Sequence, residues 1–524
     1  MLLIMPAATP PTPPASPASD YVPVLTSLSS VYSPQTLPSE EARWTHLRTA
    51  FAAAYPGEAI TFVARSPGRV NLIGEHIDYS LFDVLPMAIS QDVLIAVHVG
   101  AKDGMLKLQN TADAYEPREF EVAGLRGYKI DSKVLEWSNY FLSGVKGAYA
   151  LNDNLEVPSM HCLIDGRIPT GSGLSSSSAF VCAALLAVRT AVAATKLLPT
   201  PVTVKALAGT TSKSELVKSA IISERNVGVN SGGMDQSASV FGVPDHALRV
   251  QFSPELNVTP IAFHGNEFAF VIANTLVVAD KHVTGPVHYN LRVVETTLAA
   301  EILAKQCGLG ALPVRDGFGG TLRGVVDAFE KSRGISFDGV IEVAKRVFVK
   351  KGGYTLAEAS TMLGVPEEEI TQKYMTRFPV RFERLQLRAR TLHVLEEARR
   401  VTRFCDLLAM TPTPAEIDTY YASLGAIMLS SHASCRVQYD CSCPELDAVV
   451  ALAIANGAYG SRLTGAGWGG ATISLVRKKR VEGLVDALKK EYYYKHFPGI
   501  SEEQLAEAIC VTEPGLGSAV VVTW

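Results

Sequence analysis

Four short stretches carry residue types whose spacing suits chemistry on a charged or polyhydroxylated molecule. The first is PTGSGLSSSSAF, Pro169 to Phe180. Gly171 and Gly173 let the backbone turn tightly and come close to a ligand. The serines that follow occupy the first turn of an expected helix, where backbone N–H groups lack helical partners. Those groups and the helix dipole favour an anion. The stretch is not a Walker A loop, because no Gly-Lys-Ser/Thr follows. It also lacks the third glycine of a dinucleotide fingerprint. Taken alone, it reads equally as a phosphate loop or as a serine-capped helix after a flexible turn.

The second stretch is GRVNLIGEHIDYSLFDVLP, Gly68 to Pro86. Arg69, Glu75, His76 and Asp78 stand among apolar neighbours that look buried. Polar groups there need partners: a sugar-like ligand provides them, and so does a salt-bridged turn. The third is SERNVGVNSGGMDQSAS, Ser223 to Ser239, with Glu224 eleven residues before Asp235. A carboxylate just past a Gly-Gly turn can face a cleft. One acid could hold Mg²⁺ and the other act as a base; in isolation, a surface loop with a helix-capping Asp is the simpler reading. The fourth is SRLTGAGWGGATISLV, Ser461 to Val476, whose glycines suit either close approach to a ligand or a tight hairpin. Together, an anion loop, two acids and a sugar-like polar cluster make the parts of a phosphoryl transferase.

The elements that must position these residues follow from periodicity. EARWTHLRTAFAAAY, WSNYFLSGVKGAYA, 179–195, 203–223 and 445–456 read as helices. LRVVETTLAAEILAKQCG reads as a helix that stops at Gly308. DVLIAVHVG, MLKLQN, MHCLIDGRIP, FAFVIANTLVVAD and GSAVVVTW read as strands, and ITFVARSPGRVNLIG starts as one before a Pro-Gly turn signal. Strands and helices alternate irregularly, so the expected class is α+β. With 524 residues, two or three domains are expected. Residues 1–38 are rich in Pro, Ala, Ser and Thr and are expected to be a disordered tail. Residues 309–380 read as an irregular, polar insertion. Within it, TLAEASTMLGVPEEEI superficially resembles a helix-turn-helix, but a short helical pair is expected instead.

The net charge of −4 advertises no nucleic-acid partner. The apolar run at 179–198 is interrupted by Arg189 and Lys196, so no membrane span is expected. Eight cysteines make no disulfide scaffold and accord with the cytoplasm. Cys435, Cys441, Cys443 and His432 cluster, but their spacing fits no familiar zinc site, and packed thiols are the expected reading.

GRVNLIGEHIDY resembles the galactokinase signature. PTGSGLSSSSAF and SRLTGAGWGG resemble the phosphate loop and third motif of the wider GHMP kinases (galacto-, homoserine, mevalonate and phosphomevalonate kinases). SGGMDQ, CSCPELD and WSNY also look like galactokinase, and YNLRVVE with the 309–380 insertion looks most like the fungal members. The resemblance runs from about residue 40 to residue 524. It implies a two-domain GHMP kinase fold, with residues 39–255 and 256–524 as the domains and the active site in the cleft between them.

The resemblance also implies roles. Asp235 matches the acid that takes the proton from the sugar's anomeric hydroxyl, and Arg69 the arginine beside it. Arg69, Glu75, His76, Asp78, Gly232, Asp235 and Tyr289 match the sugar contacts. Gly171, Ser172, Gly173, Leu174, Ser175, Ser176 and Ser177 match the phosphate cradle for ATP. Ser177 and Glu224 match the Mg²⁺ ligands. Trp137 and Asn139 lie where the nucleotide side begins. The implied reaction turns ATP and α-D-galactose into galactose 1-phosphate and ADP, in a monomer.

Two rival readings stand beside this one. Some fungal relatives bind sugar and ATP and act as transcriptional inducers by gripping a repressor protein. That sensor form has lost two residues of the serine run, which is full length here. An N-acetylgalactosamine kinase is the other rival, set apart by space near the sugar's C2. Ser178 departs from the pattern, where alanine is more usual.

Overall fold

The computed structural model describes residues 19–131, 134, 136–198, 200, 202–228, 232–265, 267–277, 285–314, 318–376 and 380–522. Its strands are β1 (Val24–Leu25), β2 (Phe62–Asn71), β3 (Pro86–Val99), β4 (Met105–Asn110), β5 (Arg118–Glu121), β6 (Met160–Gly166), β7 (His246–Gln251), β8 (Asn257–Ala262), β9 (Phe268–Asn274), β10 (Ala458–Thr464), β11 (Ala471–Arg477), β12 (Ile509–Thr512) and β13 (Ala519–Val521). A seven-stranded sheet runs β1-β13-β2-β3-β6-β4-β5, and a four-stranded antiparallel sheet runs β10-β11-β9-β12. β7 and β8 form a hairpin. The mixture of sheets and segregated helices is the expected α+β class.

The first sheet is centred on β2, which is buried along its whole length. The Pro-Gly pair expected to end this strand sits inside it. Pairing with β3 shifts register between Pro67 and Arg69. A proline has no N–H to give to a ladder, so it settles at such an irregularity, and the bend re-aims the next side chain. Ser239 donates to the Pro67 carbonyl at 2.6 Å, and Arg69 leaves the bend for the site.

The helix Ser176–Thr195 packs on β2 and β3. It is long and apolar enough to cross a membrane, but 72% of its most apolar window is buried inside the protein. Its alanines admit the helix Ser138–Leu151 at close range. A Cβ on Gly144 would lie 2.6 Å from the Leu185 nitrogen, so only glycine fits there.

Further expectations differ from the structure. Residues 1–18 of the expected tail lie outside the described residues, but 19–38 are ordered by specific partners. Val22 is buried, β1 pairs in parallel with β13, and the Tyr32 hydroxyl donates to Asp92 at 2.8 Å. Composition hid this, because a few apolar residues between prolines suffice to cover a sheet edge. Asp92 also receives Arg43 at 2.6 Å and Arg65, and it is fully buried, which ties the first long helix (Leu37–Ala54) to the sheet.

The boundary at 255/256 cuts the β7–β8 hairpin, and β13, the end of the chain, returns to pair with β2. The segment 309–380 is largely helical, with Leu322–Arg333, Phe337–Val347 and Leu356–Leu363. Their buried faces, Val325, Phe329 and Val340 among them, join the main core. The short helical pair is there as expected: Thr355 and Glu358 form a capping box, Gly364 ends the first helix at φ 76°, and Glu367–Ile370 follows. The stretch 203–223 breaks into Val204–Leu207 and Lys213–Ser223. The helix Tyr289–Cys307 stops at Gly308, as expected.

Candidate active site

The four stretches converge. Arg69 is the link between the first three. Its Nε donates to Asp235 Oδ1 at 2.8 Å and its Nη1 donates to the Gly173 carbonyl at 2.6 Å. The bases of this geometry lie far apart in the chain: Arg69 sits past the β2 bend, Gly173 in the serine loop, and Asp235 in the first turn of the helix Met234–Phe241. Burial opposes the Arg69 charge, but Asp235 and then Glu75 outweigh it and raise its pKa above the ordinary arginine value. Arg69 therefore stays cationic, and a fixed cation at this distance favours the ionised form of a carboxylate.

The serine loop enters the helix Ser176–Thr195 through Ser175, which adopts φ 63°. Ser175 Oγ is buried and has no hydrogen-bond partner among the described residues. An orphaned hydroxyl at a helix N-terminus, next to unpaired N–H groups, is a donor set without its anion. Ser172 is held to the Pro169 carbonyl at 2.6 Å, which shapes the turn. Beside it, Trp137 and Tyr140 stack on Phe180 with centroids 6.4 and 6.1 Å away. Asn139 is buried and donates to the Val134 carbonyl at 3.3 Å.

Glu224 is fully buried behind the serine run. Ser178 Oγ stands 3.0 and 2.8 Å from its two oxygens, and Gln236 Nε2 donates to Oε2. Ser177, the residue expected to share a cation with Glu224, is half-buried one position earlier. A carboxylate and a hydroxyl are hard oxygen donors, the chemistry that suits Mg²⁺, which takes one or two protein oxygens and fills the rest with phosphate and water.

The fourth stretch closes the site from the other sheet as the β10–β11 turn. Glu75 is buried and accepts from the Gly465 N–H, from Asn71 and from Arg462 Nη1, the last at 3.1 Å. Gly465 sits at φ 89°, and a Cβ there would lie 2.7 Å from the Gly173 carbonyl, so the two glycine turns touch as backbone on backbone. Burial raises the Glu75 pKa above the usual carboxylate range against the pull of Arg462 and Arg69. The carboxylate is thus committed to holding the turn, a task its sequence position did not show.

His76 Nε2 lies 2.8 Å from the Ala466 carbonyl, which makes it the donor there. Nδ1 then accepts from the Tyr79 hydroxyl at 3.0 Å. Its ring is walled by Tyr439 at 4.8 Å, Trp468 at 5.6 Å and Tyr289 at 5.7 Å. Both ring nitrogens meet protein, so His76 anchors an aromatic wall. Asp78 is buried against Gly232, where any Cβ would collide with its carboxylate.

Sequence reasoning missed Arg462, Gln236, Tyr439 and Glu397. Arg462 and Gln236 stood inside quoted motifs. Glu397, in the helix Leu387–Leu408, has no local signal: its carboxylate accepts from the Gly74 N–H at 2.9 Å and from Ser431 at 2.6 Å. His432 Nε2 meets Asp447 at 3.1 Å, Nδ1 accepts the Leu463 N–H at 3.3 Å, and Cys435 and Cys441 are buried.

His393 supports the site from below, with Nδ1 2.9 Å from Ser434 Oγ and Nε2 3.1 Å from the Glu75 carbonyl. Burial pushes its pKa down from 6.5 to about 4. Between those values the unfolded chain binds the extra proton, so stability is full above 6.5 and falls as pH drops. The expected slope in that window is about 1.4 kcal/mol per pH unit from this group. Glu397, held down to about 2 against burial by Arg400 and Arg462, extends the loss below its ordinary 4.5. Urea midpoints across this range check it: His393→Gln should flatten the profile, and an unchanged slope would refute the assignment.

Comparison with known proteins agrees with this geometry. The galactokinase galactose-binding signature matches residues 49–99, the GHMP kinases N terminal domain 139–243, and the GHMP kinases C terminal domain 420–495. The chain is 41% identical to the galactokinase of Saccharomyces cerevisiae, covering 89% of this chain and 92% of that protein. It is 37% identical to that of Candida albicans, over 96% and 99%. The fold matches the Lactococcus lactis galactokinase solved in complex with galactose, with a TM-score of 0.65 at 22% identity, over 91% of this chain and 99% of that one. With its motifs assembled around Arg69 and its length matched almost end to end, this chain belongs to the galactokinase family of GHMP kinases.

Proposed function

We propose that this protein is an ATP-dependent galactose 1-kinase, moving the γ-phosphoryl group of ATP to the C1 hydroxyl of α-D-galactose. The observation that carries the reading is the pair of hydrogen bonds from Arg69 to Asp235 and to the Gly173 carbonyl, which ties a candidate base to a candidate phosphate loop through one cation. Asp235 takes the anomeric proton as the C1 oxygen attacks. Arg69 keeps Asp235 ionised and offers positive charge where the phosphoryl group crosses. Residues Gly171 to Ser177 cradle the phosphates with backbone N–H groups and hydroxyls, and the Trp137–Phe180 shelf flanks the nucleotide. Glu224 and Ser177 would hold Mg²⁺, which neutralises phosphate charge when bound. Glu75, His76, Asp78, Gly232 and Tyr289 shape the sugar side, where two substrates held in line avoid most of the entropic cost of meeting.

Eight free cysteines accord with a reducing cytoplasm. ADP release measured with galactose, with N-acetylgalactosamine and without sugar tests the proposal. Turnover is expected with galactose. Sugar binding without ADP release from either sugar would support the inducer reading instead, and preference for N-acetylgalactosamine would move the substrate.

A further inference from the structure

Ser178 is the residue that departs from the pattern of the serine run, and it has a definite place. It is 1% exposed, and its Oγ lies between the two oxygens of Glu224, which is itself 0% exposed. A hydroxyl has a single proton, so Ser178 donates to one carboxylate oxygen at a time while remaining in reach of the other. Gln236 Nε2 approaches the same carboxylate at Oε2 and stands 3.5 Å from Ser178 Oγ. Gln236 follows Asp235 on the helix Met234–Phe241, so the element that carries the candidate base also braces Glu224. Two donors on two different helices thus fix the plane of one buried carboxylate. An alanine at 178 would remove one of them and weaken the hold on the carboxylate's last torsion, with Gln236 still in place.

We infer that Ser178 is a positioning residue that holds the Glu224 carboxylate in the orientation from which it grips the divalent cation of the bound nucleotide. The inference rests on the reading of Glu224 as a cation ligand. Groups that hydrogen-bond a metal-binding carboxylate set its direction, and their loss typically weakens metal binding by one to two orders of magnitude. The loop itself does not need Ser178 for its form, because alanine is the better helix former and fits the same space.

The test uses Mn²⁺ as the probe. The full-length protein, saturated with a non-hydrolysable ATP analogue, is titrated with Mn²⁺, and bound ion is read by electron paramagnetic resonance, so no turnover enters the measurement. Ser178→Ala is expected to raise the Mn²⁺ dissociation constant about tenfold. In a Glu224→Ala background, Ser178→Ala should add nothing, because the hydroxyl acts only through that carboxylate. A thermal melt of each variant accompanies the titration. Equal affinity in Ser178→Ala and the parent, with Glu224→Ala weakened, overturns the inference and leaves the Glu224 reading standing. Unchanged affinity in Glu224→Ala overturns both. An equal Ser178→Ala effect with and without Glu224 shows a general structural role and overturns the inference alone.

Discussion

Asp235→Asn is expected to lower kcat for galactose-dependent ADP release by about 10²–10⁴-fold, the usual loss when a positioned base is removed. The substitution keeps the shape of the side chain and an acceptor for Arg69 Nε, which now lies 2.8 Å from Asp235 Oδ1. What it removes is basicity. The anomeric hydroxyl is a weak nucleophile, and without a carboxylate beside it the proton has no acceptor as the oxygen attacks. Arg69 also loses its nearest counter-charge. Its second bond, to the Gly173 carbonyl, remains, so the guanidinium stays in place and the phosphate loop keeps its anchor. The fold should therefore survive, with a stability loss of about 1–3 kcal/mol from the weakened charged hydrogen bond. Galactose affinity should change far less than kcat, since the rest of the sugar wall is untouched. Steady-state kinetics and a urea melt on one preparation separate the two effects. Near-normal turnover in a folded Asp235→Asn protein would remove Asp235 from the mechanism.

Arg462→Met should destabilise the protein by about 3–5 kcal/mol, as expected when one member of a buried ion network is deleted. Arg462 is fully buried. Its Nη1 donates to the Asn71 carbonyl and to Glu75 Oε2, both at 3.1 Å, and its Nη2 lies 4.0 Å from Glu397 Oε1. Burial opposes its charge, yet Glu75 and the groups around it raise its pKa above the ordinary arginine value. Without Arg462, Glu75 remains as a buried carboxylate whose main cation is gone, while Glu397 keeps Arg400 at 2.7 Å. Glu75 holds the Gly465 N–H, so its loosening would free the turn that rests on Gly173 and lower sugar and nucleotide affinity together. Pairing Arg462→Met with Glu75→Gln should recover part of the stability, because the most costly uncompensated charge disappears. Equilibrium urea unfolding measures both variants. A loss below about 1 kcal/mol for the single change would mean that the network contributes little beyond its own desolvation.

Much of this site was legible from the sequence because its parts are local. The serine run marks a strand-to-helix turn through glycine and serine chemistry within a dozen residues. The stop of the helix Tyr289–Cys307 at Gly308 and the capping box at Thr355 are equally short-range. The errors have a common origin. The ordered segment 19–38 looked disordered because its partners, Asp92 and β13, lie elsewhere in the chain. Pro67 looked like a turn because a bulge in a central strand is decided by its neighbour strand. The helices of 309–380 looked irregular because their apolar faces find cover on distant parts of the chain, the helices Tyr289–Cys307 and Leu387–Leu408 and the loop residue Phe82.

The sequence by itself determined the family, the kind of fold, and which residue types stand ready for anion, sugar and cation. The tertiary structure alone decided what each of them touches. Arg69 meets Asp235 across 166 positions, Arg462 meets Glu75 across 387, and Ser178 meets Glu224 across 46. Such pairs have no local signature, since any arginine or serine has the same donors wherever it stands. Packing selects among them: a buried charge or hydroxyl is tolerated only where a partner of the right sign is brought within hydrogen-bond reach. That selection made Glu75 the holder of a turn and seated the extra serine of the run, Ser178, on a buried carboxylate.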